Sequence, residues 1–190
     1  MSRLIVVEGV DGTGKSTQIE LLKEVTENAI IFKYPTSKYK TLNDYLEKKA
    51  HVDSKALFLL FLADIADDQQ NVKKALDQGK TVILDRYVFS TLAYEVDGIS
   101  HNEGKKIIES VGYLKPDLVI LLDISAEESQ RRKKKQKELD RYEENINYLE
   151  KVRSNFAKLC EERFLTTNWH MIDANRDIRT IHSDIMSAIK

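Results

Sequence analysis

The chain has few of the residues that build disulfide frameworks, flexible linkers or membrane spans. It contains one cysteine, Cys160, which excludes an internal disulfide and a cysteine-based zinc site. Only 2 prolines and 7 glycines occur, which leaves no room for a long flexible linker, and we expect a single domain over residues 1–190. No stretch approaches the ~18 uncharged apolar residues of a membrane span, and the first residues form no apolar export segment. These features predict a cytoplasmic protein without a membrane partner.

An excess of positive charge is also missing. The formal net charge is −1, with 42% hydrophobic and 32% charged residues, which is ordinary for a soluble globular protein. This neutral balance gives no reason to expect a nucleic-acid partner. Any binding of a polyanion must therefore depend on a local cluster of basic residues.

The most informative segment is the glycine-rich stretch 9–16, which reads Gly-Val-Asp-Gly-Thr-Gly-Lys-Ser after the apolar run 4–7. In this G-x-x-x-x-G-K-S pattern, glycines bring backbone N–H groups close to phosphate oxygens, and the next helix adds its positive end. Lys15 can reach the β- and γ-phosphates of a nucleotide, and the Ser16 hydroxyl can bind Mg²⁺. A chance glycine turn is the alternative, which the preceding strand and the following amphipathic helix disfavour. The predicted nucleotide-binding residues of this segment are Gly9, Val10, Asp11, Gly12, Thr13, Gly14, Lys15, Ser16 and Thr17.

Apolar runs bounded by polar turns recur along the chain and predict buried strands. These runs lie at 4–7, 30–32, 81–84, 118–122 and, more weakly, 171–172. Helical spacing predicts helices directly after the glycine-rich loop, over 57–76, and near 102–112, 142–164 and 177–189. This alternation is typical of an α/β fold with a parallel five-stranded sheet and helices on both faces. The carboxyl ends of the strands then share one edge of the sheet, where ligands bind.

An acid and a base follow the predicted strand at 81–84. Asp85 can support Mg²⁺ or orient an attacking oxygen, and the planar fork of Arg86 suits a phosphate group. A surface turn with a local ion pair is the alternative interpretation.

Seven of the residues in the segment 131–141 have basic side chains. Such a run is often only a solvated helix face, and nucleic-acid binding is disfavoured because no aromatic residues are interleaved. In a protein with a phosphate loop, a third interpretation is a mobile lid that excludes water and brings positive charge to a transferring phosphoryl group.

The exit of the second predicted strand combines an extended backbone with basic residues. Pro35 favours an extended chain there, and Lys33 and Lys38 flank it. On the next predicted helix, Phe58 and Phe61 share a face, where they fill the core or one of them stacks on a base.

Nearly end to end, these segments resemble the thymidylate kinases. The glycine-rich loop alone is shared by many nucleotide kinases, but its combination with Asp-Arg-Tyr at 85–87 and Lys-Pro-Asp-Leu at 115–118 is specific. The segments that carry the resemblance are 8–18, 59–63, 85–90, 93–94, 115–118 and 140–143.

The resemblance implies a nucleotide kinase with a short lid over about 126–141. Its reaction would be the Mg²⁺-dependent transfer of the γ-phosphoryl group of ATP to dTMP, giving dTDP for dTTP biosynthesis, and its assembly a homodimer. A kinase for another nucleoside monophosphate or deoxynucleoside is the alternative. A regulatory ATP-binding protein is a further one.

The family's residue roles transfer by matching position. Lys15, Asp85, Arg86, Arg132 and Arg141 would be catalytic, with Ser16 and Asp85 near the metal ion. Asn175 would lie near the adenine. The residues implied to bind dTMP are Asp11 at the 3′-hydroxyl, Phe61 against thymine, Tyr94 at the deoxyribose, and Lys33, Tyr34, Pro35, Lys38, Arg86, Ser90 and Tyr142.

Two departures from the family concern the acceptor. Ile65 and Ser37 occupy positions where the family usually has arginines that hold the acceptor phosphate. We expect Lys33 or Lys38 to take over that role, or the acceptor specificity to differ. The loop also lacks the arginine that some members carry, since Gly12 and Thr13 stand there, which implies that the lid supplies the catalytic cations.

Overall fold

The computed structural model describes residues 2–95, 97–134 and 145–190. Its strands are β1 (Leu4–Glu8), β2 (Ala29–Lys33), β3 (Thr81–Asp85), β4 (Leu118–Asp123) and β5 (Trp169–Asp173). They form one parallel sheet in the order β2-β3-β1-β4-β5. All five predicted strands are therefore confirmed, and so is the α/β fold class with its parallel five-stranded sheet.

Helices connect the strands throughout the described ranges. They are α1 (Lys15–Val25), α2 (Lys40–Leu46), α3 (Ser54–Asp77), α4 (Val88–Tyr94), α5 (His101–Val111), α6 (Ala126–Lys134), α7 (Ile146–Glu161) and α8 (Ile178–Ile189). None of these helices is long and apolar enough to cross a membrane.

Two helix predictions differ from the structure by more than one residue at an end. The helix predicted over 57–76 begins earlier, because the Asp53 side chain accepts from the N–H groups of Lys55 and Ala56 and caps the first turn of α3. The helix predicted over 142–164 ends at Glu161, and Arg163 and Leu165 have left-handed backbones with φ 51° and 64°. Residues 142–144 of that prediction lie outside the described ranges.

The core lies on both sides of β1, β3 and β4, whose apolar residues are buried. Helices α1 and α8 pack together on one face of the sheet, whereas α3, α4 and α7 form a contiguous layer on the other. A fully buried central sheet of this kind fixes the ends of its strands in space.

The carboxyl edge of the sheet brings together residues that are far apart in the sequence. In the register of the sheet, Asp85 lies beside Val7 on one side and beside Lys33 on the other. The glycine-rich loop leaves β1 at this same edge, since β1 ends at Glu8. The fold therefore places the loop, the Asp85–Arg86 pair and the exit of β2 next to one another.

Candidate active site

The glycine-rich loop has the backbone that its sequence predicts. Gly9, Gly12 and Gly14 have φ values of 138°, 81° and 90°, which side chains other than hydrogen rarely allow. At Gly9 a Cβ atom would lie 2.3 Å from the Leu122 carbonyl oxygen, so β4 blocks any larger residue. The loop is thus a tight turn that leads directly into the first turn of α1.

Lys15 lies across this loop and is almost fully buried. Its Nζ donates to the carbonyl oxygens of Gly9 at 2.8 Å and Val10 at 3.0 Å. Burial, and then the nearby charge of Arg86, lowers the pKa of Lys15 to about 8. A polyphosphate in the loop would offer this ammonium group the negative charge that the protein only partly supplies.

The residues present fit a nucleotide-bound Mg²⁺ ion. Ser16 and Thr17 are exposed in the first turn of α1, and the Asp85 carboxylate ends β3 at the adjoining position of the sheet. Among the described residues no group of three or more His, Cys, Asp or Glu side chains could hold a metal alone. Few protein oxygens, with the rest from phosphate and water, are what Mg²⁺ uses in nucleotide sites.

Arg86 is one of six non-glycine residues in the described ranges that have a positive φ. Its φ is 72°, in the left-handed region where a non-glycine residue is held only by its surroundings, at a cost of about 1–3 kcal/mol. The guanidinium is fixed from three directions: Nη2 lies 2.9 Å from Asp11 Oδ1, Nη1 donates to Ser90 Oγ at 3.0 Å, and the group lies 5.3 Å from the centre of the Tyr94 ring. Strain of this kind is concentrated at functional sites.

Asp11 is the anion around which the cations gather. Burial alone would raise its pKa, but Arg86, Lys15 and Lys133 outweigh burial and hold the pKa well below its usual range. Lys133 Nζ lies 3.8 Å from Asp11 Oδ1. Asp11 is therefore ionised, and it links the loop to Arg86 and to the start of the predicted lid.

Glu8 belongs to the site, although no motif in the sequence predicts a role for it. Its carboxylate is fully buried and accepts from the backbone N–H groups of Tyr87 at 2.8 Å and Ser90 at 3.1 Å, and from the Ser90 hydroxyl at 2.6 Å. Burial raises its pKa to about 7. An acidic residue at the end of an otherwise apolar strand was the signal that could have found it.

A cavity of about 340 Å³ opens beside the loop. Its wall contains both apolar and charged side chains. Leu57, Phe58, Phe61 and Ile65 form an apolar part, whereas the charged part contains Asp11, Lys33, Arg86 and Lys133. A flat apolar ring joined to an anionic group would match both parts at once.

Most of the residues predicted to bind the acceptor line this cavity together. They are Asp11, Lys33, Tyr34, Pro35, Phe61, Arg86, Ser90 and Tyr94. Lys38 does not line it; its Nζ lies 3.2 Å from Asp67 and 3.4 Å from Asp68 on α3. Lys33 Nζ, in contrast, lies 3.1 Å from Asp85 Oδ2 at the sheet edge. Of the two lysines, Lys33 is the one at the cavity.

Asn175 is not among the residues that line the cavity. Asn175 follows β5 and uses its N–H and side-chain amide on Asp173. Arg141 and Tyr142 lie outside the described residues, as does the second half of the basic run. Ile65, which is 2% exposed, contributes an apolar side chain to the cavity wall.

The described part of the basic run, residues 131–134, lies on α6, and its side chains are on two different faces of the helix. Arg132 Nη1 donates to the Gly12 carbonyl at 3.3 Å, and the Ser129 hydroxyl donates to the Asp11 carbonyl at 2.6 Å. A Cβ atom on Gly12 would lie 2.9 Å from the Ser129 carbonyl oxygen, so α6 lies directly against the loop. Arg131 and Lys134 are exposed, as a solvated helix face predicts.

Comparisons with known proteins agree with this geometry. The family model described as "Thymidylate kinase" matches residues 7–185. The "Thymidylate kinase" of Homo sapiens is 36% identical over 96% of this chain and 87% of its own length. The "Probable thymidylate kinase" of Pyrococcus horikoshii is 36% identical over 98% of this chain and 95% of its own. A solved thymidylate kinase from Candida albicans superposes with a TM-score of 0.83 at 26% identity, covering 99% of this chain and 91% of that one. The chain belongs to the thymidylate kinase family, whose members are nucleoside monophosphate kinases.

Proposed function

We propose that the protein transfers the γ-phosphoryl group of ATP to the phosphate of dTMP, with Mg²⁺, and releases dTDP and ADP. The observation that carries this proposal is the direct link between the two halves of the site. Arg86 lies in the cavity and is paired with Asp11 in the phosphate loop at 2.9 Å. An acceptor phosphate bound at Arg86 would therefore face a donor phosphate bound in the loop.

On the donor side, the loop N–H groups and Lys15 would hold the β- and γ-phosphates. Ser16 and Asp85 would hold Mg²⁺, which neutralises the charge of the transferring group when bound. The adenine would lie near Asn175, because the segment after β5 continues the same sheet edge.

On the acceptor side, thymine would lie in the apolar part of the cavity against Phe61, with Tyr94 beside the deoxyribose. Asp11 would accept from the 3′-hydroxyl. The attacking atom is a phosphate oxygen of dTMP, which is already largely ionised near neutral pH because the second phosphate pKa is about 6. No strong base is required, so positioning and charge neutralisation supply the catalysis, and Asp85 acts as an organiser.

We place this activity in the cytoplasm, as a step in dTTP synthesis carried out by a homodimer. The family membership supports these assignments. The basic side chains of α6 that reach Gly12 and Asp11 support a role within the active site rather than on a nucleic acid.

A kinase for another nucleoside monophosphate is the second candidate; the full-length comparisons do not favour it, and it rests on Ile65 and Ser37. The apolar side chain of Ile65 stands in the cavity wall at a position where the family usually has an arginine. A change of this kind alters which polar groups a bound base can satisfy.

A panel of nucleoside monophosphates in a coupled ADP-release assay tests the proposal. We expect turnover with dTMP and ATP that stops when Mg²⁺ is chelated. Turnover of another monophosphate with none of dTMP would establish the second candidate, and ATP hydrolysis without any acceptor would reject both.

The two lysines that could replace the missing arginines are distinguishable by substitution. Lys33→Met is expected to raise KM for dTMP roughly tenfold, the scale of one charged hydrogen bond, because Lys33 lines the cavity. Lys38→Met should change it less than about twofold, because Asp67 and Asp68 hold Lys38 elsewhere. Both variants lose one positive charge, so a difference between their steady-state KM values for dTMP reflects where each lysine lies. A larger effect at Lys38 would assign the phosphate contact to that residue instead.

A further inference from the structure

We propose that Glu8 is a positioning residue for the acceptor phosphate, acting through the Ser90 hydroxyl on the Arg86 guanidinium. This inference rests on the proposed function, because the acceptor phosphate is the group that Arg86 is proposed to hold. Glu8 itself touches no substrate, since it is fully buried beneath the start of α4.

The three hydrogen bonds of Glu8 all go to the segment that follows Arg86. One carboxylate oxygen, Oε1, accepts from the N–H groups of Tyr87 and Ser90 at 2.8 and 3.1 Å. The other, Oε2, accepts from the Ser90 hydroxyl at 2.6 Å. The end of β1 therefore holds the chain immediately after the residue whose backbone is strained.

When Glu8 is ionised, which with a pKa of about 7 means above neutral pH, its carboxylate decides which way the Ser90 hydroxyl points. A serine hydroxyl has one hydrogen and two lone pairs, and a carboxylate can only accept. The hydrogen of Ser90 must therefore point to Glu8, which leaves a lone pair to accept from Arg86 Nη1 at 3.0 Å. Arg86 Nη2 is held on its other side by Asp11 at 2.9 Å. Because the guanidinium is planar, these two contacts together fix its orientation.

A buried charge at this position is costly, and backbone support alone does not require it. Burial opposes ionisation of Glu8, whereas the Ser90 hydrogen bond and the charges of Arg86 and Lys15 favour it. A neutral amide of the same shape could accept both backbone N–H groups with its oxygen. What the amide could not do is accept the Ser90 hydrogen at the second position. The carboxylate is thus specifically suited to orienting the hydroxyl.

The test is Glu8→Gln combined with Ser90→Ala in a double-mutant cycle. In Glu8→Gln the amide oxygen can keep the backbone contacts, while the NH₂ group opposes the Ser90 hydrogen. We expect the preference for dTMP over thymidine, measured by calorimetric Kd values, to fall roughly tenfold in either single variant. In Ser90→Ala, KM for ATP should stay within about twofold, because this variant changes neither the loop nor the charge near Lys15. The double variant should be no worse than Ser90→Ala alone, because Glu8 acts through that hydroxyl.

A merely structural role gives a different result. Additive losses in the cycle, or equal losses for thymidine and dTMP, would overturn the inference. An unchanged dTMP preference in Glu8→Gln would also overturn it. If Glu8→Gln fails to fold, Ser90→Ala alone decides, since an unchanged preference there leaves Glu8 no route to Arg86.

The two proposals fail separately. Binding of dTMP without phosphorylation would reject the proposed function and leave the cycle measurable. If the panel identifies another monophosphate, the same cycle is run with that monophosphate and its nucleoside, because Arg86 contacts the phosphate and not the base.

Discussion

Arg86→Met is expected to lower kcat/KM for dTMP about a thousandfold, the scale observed when a donor to the reacting group is removed together with a charged hydrogen bond. Arg86 is the cation that belongs to both halves of the site, because it lines the cavity and pairs with Asp11 in the phosphate loop. Its strained φ of 72° is an expense in folding that methionine at the same position would not remove. Removing Arg86 also takes from the Asp11 carboxylate the charge that most stabilises it, so we expect the melting temperature to fall, and activity is measured well below it.

Arg86→Lys is the matched variant, because lysine keeps the charge and loses the planar fork. We expect it to recover a part of the loss, roughly tenfold, in the same steady-state assay. Calorimetry adds an internal control: Arg86→Met should reduce the preference for dTMP over thymidine to about tenfold, the share proposed for Lys33, and leave the affinity for thymidine unchanged. Equal weakening of both ligands would show that Arg86 shapes the cavity and does not hold the phosphate.

The parts of the site that could be predicted from the sequence are those encoded in contiguous residues. Strand β1, the glycine-rich loop and the start of α1 are contiguous in the sequence. The positive φ values required in the loop favour glycine, so they can be recognised in the sequence as Gly9, Gly12 and Gly14. Strands β1 to β4 were predictable for the same reason, because each contains a continuous apolar run, whereas β5 contains His170 and buries only Ile172, which is why its signal was weaker.

Contacts between residues that lie far apart in the sequence could not be predicted in this way. Lys33 and Lys38 are five positions apart with the same chemistry, and only the tertiary position of Asp67 and Asp68 on α3 draws Lys38 away from the cavity. Glu8 gains its role from Tyr87 and Ser90, which lie 79 and 82 residues further on. Short helices were missed as well: α2 and α4 have 7 residues each, too few for a periodic pattern to be clear.

The glycine at position 12 shows how both kinds of information combine. Glycine stands here where some family members have an arginine, which implies that the loop itself supplies no catalytic arginine. The structure supplies the steric reason, because a Cβ atom there would lie 2.9 Å from the Ser129 carbonyl oxygen and 3.5 Å from Arg132 Cβ. The space that a loop side chain would need is filled by α6, which presents its own cations to the loop.

Two pairs of basic residues lie on different faces of α6, and comparing them is the most discriminating test of the lid hypothesis. Arg132 and Lys133 have side chains that are 25% and 14% exposed and reach Gly12 and Asp11. Arg131 is 58% exposed, and Lys134 is exposed as well. The double variant Arg132→Met/Lys133→Met is expected to lower kcat by roughly 10²–10⁴-fold, because cations near a transferring phosphoryl group stabilise its transition-state charge.

The matched control is Arg131→Met/Lys134→Met, which removes the same two charges from the same helix. We expect this control to keep kcat within about threefold, since exposed charges in solvent contribute little. In Arg132→Met/Lys133→Met, KM for dTMP should change far less than kcat, because the lid acts on the transferring group. In the control, KM for dTMP should change as little. Stopped-flow single-turnover measurements separate the chemical step from product release. Equal losses in the two double variants would mean that the run acts only through its overall charge, as a solvated helix face would, and unchanged turnover in both would remove α6 from the mechanism.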